Sequence, residues 1–182
     1  HLSSLRSIPN LNIIRPCDII ETIEAWHCAL NEPNTPTILV LTRQNLTLMR
    51  NIDSNNNFVQ LGAYPIIDFD NYDATVLATG SEVEIAVKSS QALLKEKINV
   101  RIISFPSWEL FTKQSMEYQT KILGNKPIFG IEAGTINGWE RYISTKNFLG
   151  MRSFGASGPY KKLYQHFSIT SENLIDLIKK NI

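Results

Sequence analysis

The sequence predicts an α/β protein whose main sheet is mostly parallel with helices on both faces, preceded by a β-α-β remnant of a second α/β domain. Strand-like apolar runs alternate with helix-like periodic stretches along most of the chain. The apolar runs are continuous rather than alternating, which is typical of parallel strands covered on both faces. With 182 residues and 43% hydrophobic residues, the chain is long enough to bury a core. We assign 1–48 to the first unit, 49–63 to a linker and 64–182 to the second unit.

The first unit begins with a helical stretch at 2–6 and continues as a strand, a helix and a strand. The first strand is expected at 11–14, and Asp18 then has the position of a helix N-cap, with Glu21 at the capping-box spacing. The second strand is expected at 37–41, as an apolar run covered on both faces. Helical spacing places four apolar residues on one face of the helix, which we expect to pack against a sheet: Ile19, Ile23, Trp26 and Leu30.

The second unit follows a polar, Asn-rich stretch from Met49 to about Tyr64, which predicts an exposed linker. Ser81 is expected to cap the first helix of this unit, with Glu84 as its capping-box partner. The inner face of that helix is expected to contain Val83, Ala86, Val87, Ser90, Leu93 and Leu94. Buried strands are expected at 74–78, 100–103, 128–131 and 148–151, and a final helix runs from 170 or 171 to 182. Together these elements predict a mostly parallel sheet.

Composition excludes several classes of function. Eighteen basic and seventeen acidic residues leave a net charge of +1, which favours no nucleic acid partner. No apolar stretch is long enough to cross a membrane, and no signal peptide is evident. Cys17 and Cys28 are eleven residues apart, which fits neither a redox pair nor a zinc pair and suits a reducing cytoplasm. The chain begins with His1 directly before a helical stretch, so we expect further residues upstream.

Three segments could carry chemistry, and each has a structural alternative. The turn 80–82 could bind an anion at a helix N-terminus, but a tight turn is the favoured interpretation. The segment 155–159 could form a nest of N–H donors, but Pro159 lacks a donor, which favours a structural loop. Glu132 ends a predicted strand and could be a general base, or could anchor a neighbouring loop or subunit. No phosphate-binding loop, dinucleotide fingerprint or metal-ligand spacing is present.

Arg43 is the strongest candidate for a ligand contact. It follows the predicted strand 37–41, and ligands of parallel sheets bind beyond the carboxyl ends of the strands. A guanidinium group can bind phosphate through two parallel hydrogen bonds. A surface salt bridge is the alternative that the spacing leaves open.

An ordered set of motifs over essentially all 182 residues resembles transketolase. The motifs, in chain order, are LSSLRSIPN at 2–10, RPCD at 15–18 with Glu21, LTRQNL at 41–46, ATGSEV at 78–83, SFPSWE at 104–109, EA at 132–133, GM at 150–151 and FGAS at 154–157. The resemblance implies that 1–48 is the end of the pyrimidine-binding domain and 64–182 is the C-terminal domain.

The resemblance also implies an activity for the intact protein. Transketolases transfer a two-carbon ketol unit between ketose and aldose phosphates in the pentose phosphate pathway, using thiamine diphosphate and Mg²⁺, and they act as homodimers. In the family, the arginine of the Ser-Arg-Gln motif binds the sugar phosphate, and Arg43 occupies that position, with Thr42 in place of the more frequent serine. Arg43 is therefore the predicted substrate-binding residue.

The remaining catalytic apparatus of the family is expected outside this chain. The metal and diphosphate motif and the family's Asp-Gly-Pro-Thr-His stretch both precede the matched segment, so His1 is not the catalytic histidine, and no catalytic, cofactor-binding or metal-binding residue is assigned here. We expect the segment alone neither to bind thiamine diphosphate nor to turn over ketoses. Two alternatives stay open: a related thiamine enzyme, such as a 2-oxoacid dehydrogenase β-chain or deoxyxylulose-phosphate synthase, and a non-catalytic regulatory or dimerisation module.

Overall fold

The computed structural model describes residues 1–50 and 56–182, which form a two-stranded sheet and a five-stranded sheet. The strands are β1 Asn12–Ile14, β2 Thr37–Leu39, β3 Tyr64–Ile67, β4 Ala74–Ala78, β5 Val100–Ser104, β6 Ile128–Glu132 and β7 Phe148–Gly150. The helices are α1 Leu2–Leu5, α2 Ile19–Asn31, α3 Glu82–Lys95, α4 Trp108–Thr112, α5 Met116–Leu123, α6 Tyr160–His166 and α7 Ser171–Asn181. Of the described helices, none is both long enough and apolar enough to cross a bilayer.

The five-stranded sheet confirms the predicted fold class. Its order is β3-β5-β4-β6-β7, and every neighbouring pair is parallel except β3 with β5. One face is covered by α3 and α7 through an aliphatic cluster, and the other by an aromatic cluster that includes Phe105, Phe111 and Trp139. The antiparallel strand β3 was not predicted as a strand. It contains Pro65, which suits an edge position because proline has no N–H for the ladder.

The small sheet pairs β1 with β2 in parallel, with Asn12 opposite Thr37 and Ile14 opposite Leu39. The prediction that 37–41 is covered on both faces is wrong for this chain: β2 ends at Leu39, and its residues are only half-buried. The physical reason is that β1 is the one strand paired with β2 among residues 1–50 and 56–182, so the other edge of β2 is open.

The apolar face of α2 does not pack against a sheet, so that expectation is also wrong. Its four members are between 53% and 75% exposed: Ile19, Ile23, Trp26 and Leu30. The helix instead buries Glu21, Ala25 and Cys28. Small side chains at 25 and 28 allow close contact with Val59, which precedes β3, and with Leu110 of the second unit. Hydrogen bonds satisfy Glu21. Helical periodicity identified an apolar face, but it gave no information on whether another element of this chain covers that face.

The predicted linker, 49–63, is described by the structure only in part. Residues 51–55 of the Asn-rich run lie outside the described residues. The expectation of exposure is wrong for the residues just before β3, because Val59, Gly62 and Ala63 are buried. Glu24 of α2 accepts hydrogen bonds from the backbone N–H groups of residues 58 and 59, at 3.0 and 3.1 Å. This segment therefore joins the two units as packed structure.

Helix α3 begins at Glu82, but its predicted capping box is wrong. Ser81 has helical backbone angles and makes no side-chain cap, because its hydroxyl donates to Glu82 instead. Glu84 pairs with Lys88 one turn further along. The predicted inner face is otherwise buried or partly buried, except Leu94, which is 48% exposed.

Candidate functional site

Arg43 lies in a bend four residues after the end of β2, on the side where the carboxyl ends of β1 and β2 meet. Its side chain is exposed, and it forms no ion pair with any acid among residues 1–50 and 56–182. The bend is held by the Thr42 hydroxyl, which donates to Gln44 Oε1 at 2.5 Å. The guanidinium is therefore accessible, and the salt-bridge alternative finds no carboxylate in the described part of the chain.

Arg15, which directly follows β1, is largely buried in an ion network. Its guanidinium pairs with Glu82 and donates to the Thr79 carbonyl at 2.8 Å. Tyr164 and the backbone N–H of Ala133 also donate to Glu82, at 2.5 and 2.9 Å. Burial works to raise the pKa of the Glu82 carboxyl, but the Arg15 charge and these hydrogen bonds outweigh it and lower that pKa. Glu82 is therefore held ionised as the counterion of Arg15.

Glu132 belongs to the same network and is 1% exposed. Arg6 donates to its two carboxylate oxygens at 2.8 and 2.9 Å, which is a bidentate pair. Trp139 Nε1 donates to it at 2.7 Å, and Arg15 lies 3.7 Å away. Three hydrogen bonds and the nearby Arg15 charge thus commit this buried carboxylate to protein groups. Of the two interpretations of Glu132, the structure supports the anchor, which ties the N-terminal segment to the end of β6.

The same network fills the turn 80–82. Gly80 has φ +58, and the Arg15 guanidinium lies 2.8 Å from where a Cβ would stand. An arginine and a glutamate thus occupy the helix N-terminus that an anion would need, and the tight-turn interpretation is confirmed. The second glycine segment, 155–158, is an exposed loop. No hydrogen bond among the described residues organises it into a nest of donors.

A second buried carboxylate connects the two units. Glu21 of α2 is fully buried and accepts hydrogen bonds from Tyr64 and Ser104, at 2.7 and 2.5 Å, and from the Cys17 N–H at 2.6 Å. The predicted capping box is thus formed in a shifted version, because Glu21 reaches Cys17 while Asp18 caps Glu21 N at 2.8 Å. Burial raises the pKa of the Glu21 carboxyl. It has no arginine or lysine in direct contact in the described chain.

Sequence reasoning missed the roles of Arg6 and Arg15. Both lie in the motifs that were singled out, but their partners Glu82 and Glu132 are more than sixty residues away in the sequence. An arginine directly after a buried strand was the available signal at position 15, and position 43 offered the same signal. Only the packing of the two units distinguishes the buried arginine from the exposed one.

The described residues do not bring together a metal site. No three His, Cys, Asp or Glu side chains among them converge so as to hold a metal ion. Glu82 and Glu132 are committed to arginines, and Glu21 is enclosed by hydrogen bonds. We therefore derive no reaction step through a metal or cofactor held by this chain.

Comparison with known proteins gives one consistent result. A family model described as the transketolase pyrimidine binding domain matches residues 1–49, and one described as the transketolase-like C-terminal domain matches residues 62–170. A transketolase of Sinorhizobium medicae is 47% identical over 178 residues, which cover 96% of this chain and 26% of that protein.

Solved structures agree with this result. A transketolase from Leishmania mexicana superposes with a TM-score of 0.89 at 38% identity, over 98% of this chain and 27% of that one. A Pichia stipitis transketolase in complex with sedoheptulose-7-phosphate superposes with a TM-score of 0.90 at 34% identity, over 98% and 26% of the two chains. The chain spans about a quarter of the length of these relatives. The matches give no support to the alternative thiamine enzymes or to a regulatory module.

Proposed function

Because this chain belongs to the transketolase family, we propose that the intact protein containing it transfers a two-carbon ketol unit between ketose and aldose phosphates. The observation that carries this proposal is the 47% identity to a curated transketolase along 96% of the chain. The Pichia stipitis relative is named as a complex with a sugar phosphate, which supports the same class of substrate.

The finer parts of the proposal come from the family. The intact enzyme uses thiamine diphosphate and a divalent metal, is a homodimer and acts in the cytoplasm within the pentose phosphate pathway. Residues 1–48 contribute the end of the pyrimidine-binding domain, 49–63 connect, and 64–182 form the C-terminal domain. The segment by itself binds no cofactor and is inactive, because the cofactor's ligands belong to the remainder of the enzyme.

The part that this chain plays in the reaction is to hold the substrate's phosphate. Arg43 is exposed beyond the carboxyl end of β2 and has no described acid to compete for it. A phosphate group bound there fixes the far end of the sugar, and that binding energy positions the reacting carbon. Arg15 and Glu82 position the loop after β1, which lies beside β2, so the buried network supports the surface from which Arg43 extends.

The test of this role is substitution of Arg43 in the intact enzyme. Arg43→Ala removes up to two charge-assisted hydrogen bonds to phosphate, each worth about 1.5–3 kcal/mol. We expect kcat/KM for phosphorylated sugars to fall at least about 10-fold if one such bond is lost and at least about 100-fold if both are lost, mainly through KM, with little change for an unphosphorylated donor. Arg43→Lys should recover only part of the loss, because an ammonium group cannot form the two-pronged contact.

The matched control is Arg141→Ala, which removes an exposed arginine of the second unit. Its kinetics should equal those of the parent enzyme with both kinds of substrate. If Arg43→Ala reduced activity equally with phosphorylated and unphosphorylated donors, the phosphate-binding role would be refuted, while the family membership would stand.

A further inference from the structure

A cavity of the second unit lies outside the site of Arg43, on the outer edge of the main sheet. It has a volume of about 620 Å³ and is bounded by β7, the residues after it, the end of α6 and the second half of α7. Neither Arg43 nor any residue of the buried arginine network lines it. This volume falls in the range of cavities that hold small ligands. Nothing in the proposed ketol transfer uses it.

Positive side chains line this cavity from three separate elements. Lys146 precedes β7, Arg152 follows it, and Lys180 comes from the last turn of α7, while Asp176 is the one acid in the lining. His166, at the end of α6, adds an imidazole that can donate a hydrogen bond. A cavity lined mostly by one sign of charge concentrates the field and attracts ions of the opposite sign. The whole chain has a net charge of only +1, so the excess of positive side chains around this cavity is a local feature.

These cations are not used for structure. Lys179, next to Lys180 on α7, pairs with Glu96 at 2.6 Å. By contrast, Lys146, Arg152 and Lys180 form no ion pair with an acid among residues 1–50 and 56–182. A ligand would therefore not need to displace a described carboxylate from them.

The uncharged lining suits a small organic anion. Ser153 and Ser168 contribute hydroxyl groups, which can donate to phosphate oxygens. Phe148, Phe167 and Leu177 contribute apolar surface, which can cover the carbon skeleton of a ligand. Three cations suit a ligand with several negative charges, and a molecule that carries two phosphate groups offers more of them than a molecule that carries one.

We propose that the cavity between β7 and the C-terminal half of α7 binds a small phosphate ester with at least two phosphate groups, held by Lys146, Arg152 and Lys180. The site is distinct from Arg43, and the proposal does not depend on the ketol transfer. Inorganic pyrophosphate and a hexose bisphosphate represent the two sources of this chemistry, a bare diphosphate and a phosphorylated sugar.

Calorimetric titration of the 182-residue chain tests the proposal, with pyrophosphate, hexose 1,6-bisphosphate and hexose 6-phosphate as separate probes at fixed ionic strength. We expect saturable binding of a doubly phosphorylated probe, at least tenfold tighter than binding of the monophosphate. The double variant Lys146→Gln/Lys180→Gln should weaken that binding about tenfold or more. Both lysines are exposed, so the melting temperature should stay unchanged.

The matched control is Lys126→Gln/Lys162→Gln, which removes the same two charges from exposed positions outside the cavity. This control should bind the probe as the parent does. Three results would each overturn the proposal: absence of saturable binding at millimolar probe, equal weakening by the control double variant, and equal affinity for the mono- and bisphosphate. Preference for pyrophosphate over the hexose bisphosphate would identify the bare diphosphate as the source, and the reverse would identify the sugar ester.

Discussion

The buried carboxylate of Glu132 allows the sharpest test of how the two units are joined. The proposed change is Glu132→Gln, which keeps the size of the side chain and one acceptor oxygen but removes the charge. In the parent, this carboxylate accepts two hydrogen bonds from Arg6 and one from Trp139, and Arg15 lies 3.7 Å away. The side chain of Arg6 is 6% exposed and that of Arg15 is 11% exposed. The substitution therefore leaves Arg6 buried without its counterion.

The size of the effect follows from that burial. Removing one partner of a buried ion pair costs about 3–5 kcal/mol, because the remaining charge stays desolvated. The amide still accepts one hydrogen bond, and Arg6 still stacks on the Trp108 ring at 3.8 Å, so we expect the lower end, about 3 kcal/mol. Small domains have a total free energy of unfolding of about 5–15 kcal/mol, so a loss of this size is easily measured.

The assay is urea unfolding of the 182-residue chain, followed by circular dichroism. Glu84→Gln is the matched control, because it breaks the exposed Lys88–Glu84 pair within α3 and should cost only about 0.3–0.5 kcal/mol. Removing Arg6 as well, in Arg6→Met/Glu132→Gln, should cost less than the sum of the single changes. A loss of under about 1 kcal/mol for Glu132→Gln would refute the idea that this pair holds the units together.

The remaining predictions concern the pH dependence of stability caused by Glu21 and the stability cost of replacing Gly62. The pKa of Glu21 is raised by burial, so its contribution to the free energy of unfolding is fully present below its ordinary value of 4.5 and is lost as pH rises through the raised pKa. The stability advantage of the parent over Glu21→Gln should therefore shrink as pH increases from 4.5, measured by urea unfolding at several pH values; a growing advantage would contradict the reasoning. Gly62 has φ +75, and an added Cβ would lie 2.0 Å from the backbone nitrogen of Phe111. Gly62→Ala should lower the unfolding free energy by about 2 kcal/mol or more, whereas Gly155→Ala, with nothing within 4 Å, should change it by less than about 0.5 kcal/mol. Equal melting temperatures for the two variants would count against the first.

Much of the fold could be predicted because its strands are continuous apolar runs. The strands β4, β5, β6 and β7 lie where the apolar runs 74–78, 100–103, 128–131 and 148–151 predicted them, to within one residue at each end. The antiparallel edge strand β3 was missed because Tyr-Pro-Ile-Ile is short and contains a proline. Helices α4, α5 and α6 were not predicted either. Each has at most eight residues, too few turns for a clear helical periodicity.

The candidate site was predicted only in part. The position of Arg43 beyond a strand end could be inferred from the sequence, and its role in binding phosphate stays a prediction. Glu132 had two possible roles, and the three hydrogen bonds and two arginines around it support the structural one. The prediction that the apolar face of α2 packs against a sheet was wrong. The hydrophobic pattern of a helix shows which residues share a face, but it does not show which elements pack against that face.

The sequence by itself determined the α/β class, the positions of the main buried strands along the chain, the family and the one arginine expected to reach a substrate. These are properties of local runs and ordered motifs, which a linear chain contains in full. The tertiary structure alone decided which charges are buried, which are free, and which cations surround a cavity. An arginine at 15 and an arginine at 43 look alike along the chain. They differ because folding brings Glu82 and Glu132 next to Arg15 and leaves Arg43 in solvent.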